Sequence, residues 1–109
     1  MTIDIMGSAW TITECSEKDD PNLNNADGYC DWTTRRIVIE REISGSLNDM
    51  EEYIRKVTRH EIVHAFLLEC GLHEATSATD SWANNEEMVD WFARVGPRIH
   101  AAWRAAGAV

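Results

Sequence analysis

The chain has 109 residues, the length of one domain with a small core. Its 44% hydrophobic and 27% charged residues exclude extended disorder. A net charge of -9 argues against a surface built for nucleic-acid phosphates. No apolar run approaches the roughly 20 residues of a membrane helix. The first residues carry no basic segment followed by a long apolar stretch, so no secretion signal is expected. Cys15, Cys30 and Cys70 are odd in number, widely spaced and without a CxxC. Together these features predict a cytoplasmic protein with three free, largely buried thiols and no nucleic-acid or membrane partner.

In chain order, SAWTITEC (8–15) alternates and holds β-branched residues, which predicts a strand. SEKDDPNLNNADG (16–28) is rich in turn formers and reads as a loop. GYCDWTTRRIVIERE predicts a hairpin: Gly28 to Trp32, a turn at Thr33 and Thr34, then Arg36 to Glu40. Ile37 and Ile39 should face one side of that strand and Val38 the other. Ser44-Gly45-Ser46 breaks the pattern.

Asn48 or Asp49 can cap a helix that has Glu51 and Glu52 in its first turn. It should run from about Asp49 to Cys70 and stop at Gly71. Its second half is apolar nearly all round, so it should lie between the sheet and the later helices. Residues 74–83 read as a loop with at most a short turn. Asn84 or Asn85 caps a second helix ending near Gly96, and Pro97 suits the first turn of a third.

The first of these helices carries His60-Glu61-Ile62-Val63-His64, an HExxH. Histidines four apart share a helix face, one turn from each other, and can reach one tetrahedral zinc. Glu61, offset around the helix, can take a proton from water at that centre. Two histidines are not enough, and a third protein ligand is needed. HExxHxxGxxH, the metzincin spacing, fails because positions 67 and 70 are Leu67 and Cys70. The open candidates are His73, Glu86 and Glu87. Glu86 is favoured because Asp90 follows it one turn on, and adjacent helix residues diverge by about 100°.

Asn85-Glu86-Glu87-Met88-Val89-Asp90 resembles the NExxxD segment of gluzincins of the thermolysin type. Residues 86–93 are also similar to the ExxA(N/D)xFA motif of ImmA/IrrE-type peptidases, with Val89 in place of alanine. Much of residues 27–107 resembles the small HExxH proteins of phages and prophages of the minigluzincin kind. The resemblance implies that His60, His64 and Glu86 bind zinc, that Glu61 is the general base, and that Asp90 orients a ligand histidine. It implies an α+β zincin-like domain: a three-stranded antiparallel sheet on the HExxH helix, then a glutamate-bearing helix and a C-terminal helix. The expected activity is zinc-dependent hydrolysis of a peptide bond in an extended protein or peptide segment. Arg36–Glu40 is the candidate edge strand for pairing with that segment. The alternative is a zinc-binding regulatory or interaction protein with little or no peptidase activity.

The remaining residues carry plainer expectations. Tyr29 and Tyr53 are open as oxyanion donors, with nothing in the sequence favouring either. His100 reads as a surface histidine. The five tryptophans are expected to pack the core, with Trp82 a weaker candidate for the cleft wall. Arg35, Arg36 and Arg41 are expected to be solvated against the acidic surface.

Overall fold

The computed structural model describes residues 1–43, 45, 47–75 and 82–109. Four strands form one mixed sheet: β1 (Thr2–Ile5), β2 (Ser8–Cys15), β3 (Gly28–Asp31) and β4 (Arg36–Glu40), in the order β1-β2-β4-β3. The helices are α1 (Met50–Glu69), the short α2 (Leu72–Ala75) and α3 (Glu86–Ala105). A 3-10 turn, Trp82–Asn84, leads into α3.

This corrects the expected three-stranded antiparallel sheet in two respects. First, Thr2–Ile5 is a strand, joined to β2 through Met6 and Gly7. Both residues have positive φ, 51° and 87°, the geometry of a two-residue hairpin turn that matches strand twist. Second, β2 and β4 are parallel, with Ile12 opposite Ile37. The loop after β2 does not simply turn back. It crosses β4, and the chain returns as β3 on the far edge before filling the gap as β4, antiparallel to β3. The twelve residues between Cys15 and Gly28, most of them polar, are length enough for that crossing. Asp20 in this loop accepts from Tyr29 Oη (2.6 Å) and Arg36 Nη2 (3.0 Å), and Arg41 pairs with Asp19. These bonds tie the loop to one sheet face, where Val38 is fully buried. Arg35, Arg36 and Arg41 are each about half exposed against an acidic partner, Glu69, Asp20 and Asp19, as expected, and Arg36 with Tyr29 also ties the crossover loop through Asp20. Arg36–Glu40 is consequently an interior strand. The edges are β1 and β3.

The other sheet face packs on α1. Ile5, Trp10, Ile37, Ile39, Val57 and Ala65 form the core there. Trp10 Nε1 also donates to Glu69 Oε1 (2.7 Å), pinning the end of α1 to the sheet. The helix starts where expected: the Asp49 side chain accepts from the Glu52 amide at 3.0 Å. It stops at Gly71, whose φ of 80° suits a residue without Cβ. A second cluster, Leu67, Ala83 and Val89, joins α1 to α3, so α1 is covered on two sides as expected. Phe66 is nevertheless exposed.

The expected break at Gly96-Pro97 is absent: α3 is one helix with Pro97 inside it. Proline has no amide to give the carbonyl four residues earlier, which is that of Ala93. Arg59 Nε of α1 donates to that carbonyl instead, at 2.6 Å. A neighbouring helix thus satisfies the group that proline orphans. Asn85 caps α3, its side chain accepting from the Met88 amide (2.8 Å). Residues 76–81 of the expected 74–83 loop, and Ser44 and Ser46 of the expected break, lie outside the described residues. No helix among the described residues is long and apolar enough to cross a membrane.

The tryptophans depart from the core expectation. Trp10 is fully buried, but Trp32, Trp82, Trp91 and Trp103 are each roughly half exposed or more.

Candidate metal centre

One turn of α1 presents His60 and His64 toward the first turn of α3, which presents Glu86. Their facing atoms converge. His64 Nε2 lies 3.2 Å from His60 Nε2 and 2.9 Å from Glu86 Oε1, and His60 Nε2 lies 3.1 Å from Glu86 Oε2. The three residues form a group that could hold a metal ion. Donors around a tetrahedral ion with bonds of about 2.0 Å stand about 3.3 Å apart. The observed separations need only a few tenths of an ångström of opening to accept one. Two imidazole nitrogens and one carboxylate are a donor set suited to zinc and similar divalent ions.

Asp90, one turn beyond Glu86, stands behind the histidines. Its Oδ1 lies 3.1 Å from His60 Nδ1 and 3.1 Å from Lys56 Nζ, and its Oδ2 accepts from Arg94 Nε at 2.7 Å. Burial alone would raise the Asp90 pKa, but the bonds from Arg94, His60 and Lys56 prevail and hold it well below the usual carboxylate range. A carboxylate there suits the His60 tautomer in which Nδ1–H donates to Asp90, leaving Nε2 toward Glu86 and His64. Lys56 was not singled out in the sequence. Its signal is the spacing of four to His60, on the same helix face.

Glu61 is 7% exposed, unusual for a glutamate. It lines a cavity of about 320 Å³ together with His64, Glu86, His73, Leu68 and residues of β3. Burial pushes its pKa up, opposed by the two histidines. Cys30 reaches it from β3: the thiol lies 3.4 Å from Glu61 Oε2 and 3.0 Å from the Glu61 carbonyl oxygen. Burial, with the Glu61 charge beside it, drives the Cys30 thiol far above its ordinary pKa, so it is a neutral donor. Gly28, like Cys30, is a site residue with no signal in the sequence. A Cβ there would sit 3.0 Å from the Val38 carbonyl oxygen and 3.2 Å from Glu61 Cγ, so the strand lies against Glu61 only because that position is glycine.

The other candidates are placed apart from the donors. Glu87 points into a separate surface groove with Trp82, Met88 and Trp91. His73 lines the Glu61 cavity but is outside the three-residue donor group. Tyr29 Oη donates to Asp20 and Tyr53 Oη to Asp27, so both hydroxyls are committed to the loop after β2. Trp32, not Trp82, is the tryptophan lining the site cavity. Trp82 borders a different, apolar cavity between α1 and α3. His100 is exposed on the distal half of α3, and Cys70 is exposed rather than buried.

No protein-family model, curated protein or solved structure matches the chain.

Proposed function

We propose that the chain is a zinc-dependent peptidase of the gluzincin type. His60, His64 and Glu86 would hold zinc, and Asp90 would orient His60. The observation that carries this reading is the convergence of the three donors beside a buried glutamate that opens onto a cavity. A structural zinc site needs no such base, and a catalytic one keeps a position open beside three protein ligands. When bound, zinc supplies a Lewis acid that polarises a scissile carbonyl and acidifies water.

The chain's own groups do the rest. Glu61 accepts a proton from the attacking water at a carboxylate oxygen and later delivers it to the leaving amine. The Cys30 thiol and Gly28 keep that carboxylate against β3. The free edge of β3 borders the cavity, and an extended peptide adding to it would bring its backbone past Glu61 and Glu86. The substrate class this supports is therefore a protein segment in extended form, paired with β3 rather than with Arg36–Glu40.

The test is zinc content and peptide hydrolysis on the same preparations. Wild type is expected to hold about one zinc per chain. His64→Ala and Glu86→Ala should lose it. Glu61→Gln should retain zinc and lose hydrolysis by about 10²–10⁴-fold. Zinc retention with no hydrolysis of any extended peptide by wild type would instead favour a regulatory zinc protein. A folded wild type that takes up no zinc would overturn the reading.

A further inference from the structure

Outside the metal centre, the most unusual surface is the solvent face of α3. Met88, Trp91, Phe92, Val95, Ile99 and Trp103 fall within about 120° of one another at roughly 100° per residue. That stripe runs the length of a 20-residue helix. It lies beside the face that packs on α1, marked by the buried Val89 and Ala93, and the half-buried Met88 bridges the two by packing on the Leu67, Ala83 and Val89 cluster. Trp91, Phe92 and Trp103 are 55%, 41% and 49% exposed. At the N-terminal end the stripe runs into a cavity of about 350 Å³, walled only by apolar side chains: Val63, Phe66, Leu67, Trp82, Met88 and Phe92. At the other end, residues from Pro97 onward are largely exposed, so the helix overhangs the body. An apolar strip and pocket of this extent is what a partner surface presents, and single scattered hydrophobics do not produce it.

Charge identifies the occupant. The chain as a whole is strongly acidic, which opposes close approach of two copies. Along this stripe the sign changes. Glu87 stands at the acidic N-terminal end, and Arg98 stands on the same flank eleven positions later, about three turns on. Among the described residues neither makes an ion pair within the chain. We infer that a second copy of this chain packs its own α3 antiparallel on this face, forming a two-fold dimer. In such a pair each Glu87 lies beside the partner's Arg98. The same register carries the partner's Trp103, on the overhang, toward the N-terminal end of α3, where the apolar cavity lies. One two-fold axis near Phe92 thus pairs both free charges and gives the overhanging tryptophan an apolar site. The histidines and Glu86 lie on the opposite side of the helix, so the dimer does not use the metal centre.

Sedimentation velocity from low micromolar to hundreds of micromolar, with metal-free protein, tests this. Wild type is expected to dimerise. Arg98→Glu and Glu87→Arg should each weaken the dimer roughly tenfold or more. The double reversal, Glu87→Arg with Arg98→Glu, should recover most of that loss. Trp103→Glu, on the overhang and remote from the core, should leave a monomer with an unchanged far-ultraviolet spectrum. A wild type that stays monomeric throughout, or a dimer indifferent to both reversals, or a double reversal no better than the singles, would each overturn the proposal.

Discussion

The two long helices have the same length and opposite circumstances. α1 is held on two sides. Val57 and Ala65 sit in the sheet core, Leu67 meets α3, and Glu69 is bonded to Trp10 and Arg35. α3 is held mainly along Val89 and Ala93, by Arg59 on the Ala93 carbonyl, and by Asp90 reaching Lys56 and His60. Yet the candidate centre draws two donors from the first helix and one from the second. The lesson is that a site split across helices is only as well positioned as its weaker-held half. The polar contacts of Asp90 and Arg59 carry much of the positioning that burial does for α1.

Four substitutions separate these two modes of anchorage. Trp10→Ala empties the core under α1 and should cost about 3–5 kcal/mol, read as a fall in the urea midpoint for the whole chain. Arg59→Leu leaves the Ala93 carbonyl without a donor beside Pro97, at a cost of about 1.5–3 kcal/mol. Hydrogen exchange should show that loss on the distal turns of α3, with the sheet amides unchanged. Equal loss of protection in both regions would mean the helices are anchored as one unit. Asp90→Asn should weaken zinc binding by about 10–100-fold, measured by chelator competition, and should also lower apo stability, because it removes the charge that Arg94, His60 and Lys56 bond. Unchanged affinity would show that Asp90 does not orient His60.

The smallest expected effect is at Glu69. Bonds from Arg35 and Trp10 hold its carboxyl below the usual carboxylate range. A lowered folded pKa contributes stability above the unfolded value and loses it as pH falls through the folded one. Glu69→Gln should therefore lower stability at neutral pH and flatten the acid limb from about pH 5.5 downward, through the lowered folded value. A variant with the wild-type slope would assign the acid sensitivity to other carboxylates.

Much of the candidate site was legible because helical spacing is local. The four-residue repeats of His60 with His64 and of Glu86 with Asp90 put each pair on one face whatever surrounds them. The caps at Asp49 and Asn85 and the stop at Gly71 are equally local. What was not legible involved partners distant in sequence. Cys30 and Gly28 meet Glu61 across more than thirty positions, and nothing in GYCD by itself points there. The choice of Glu86 over Glu87 came from Asp90, and the fold adds the independent fact that Glu87 faces another groove.

Sequence periodicity alone determined that a strand region precedes a helical one, which face carries the histidines, and where α1 begins and ends. Those outcomes depend on hydrogen bonds and rotations within a few residues. Only the tertiary structure decided that the polar loop crosses β4, making it interior and parallel to β2. Strand order depends on where a loop lands, and loop composition does not encode that. The same holds at Pro97: the local rule says stop, and the helix continues because Arg59, from another element, supplies the missing donor.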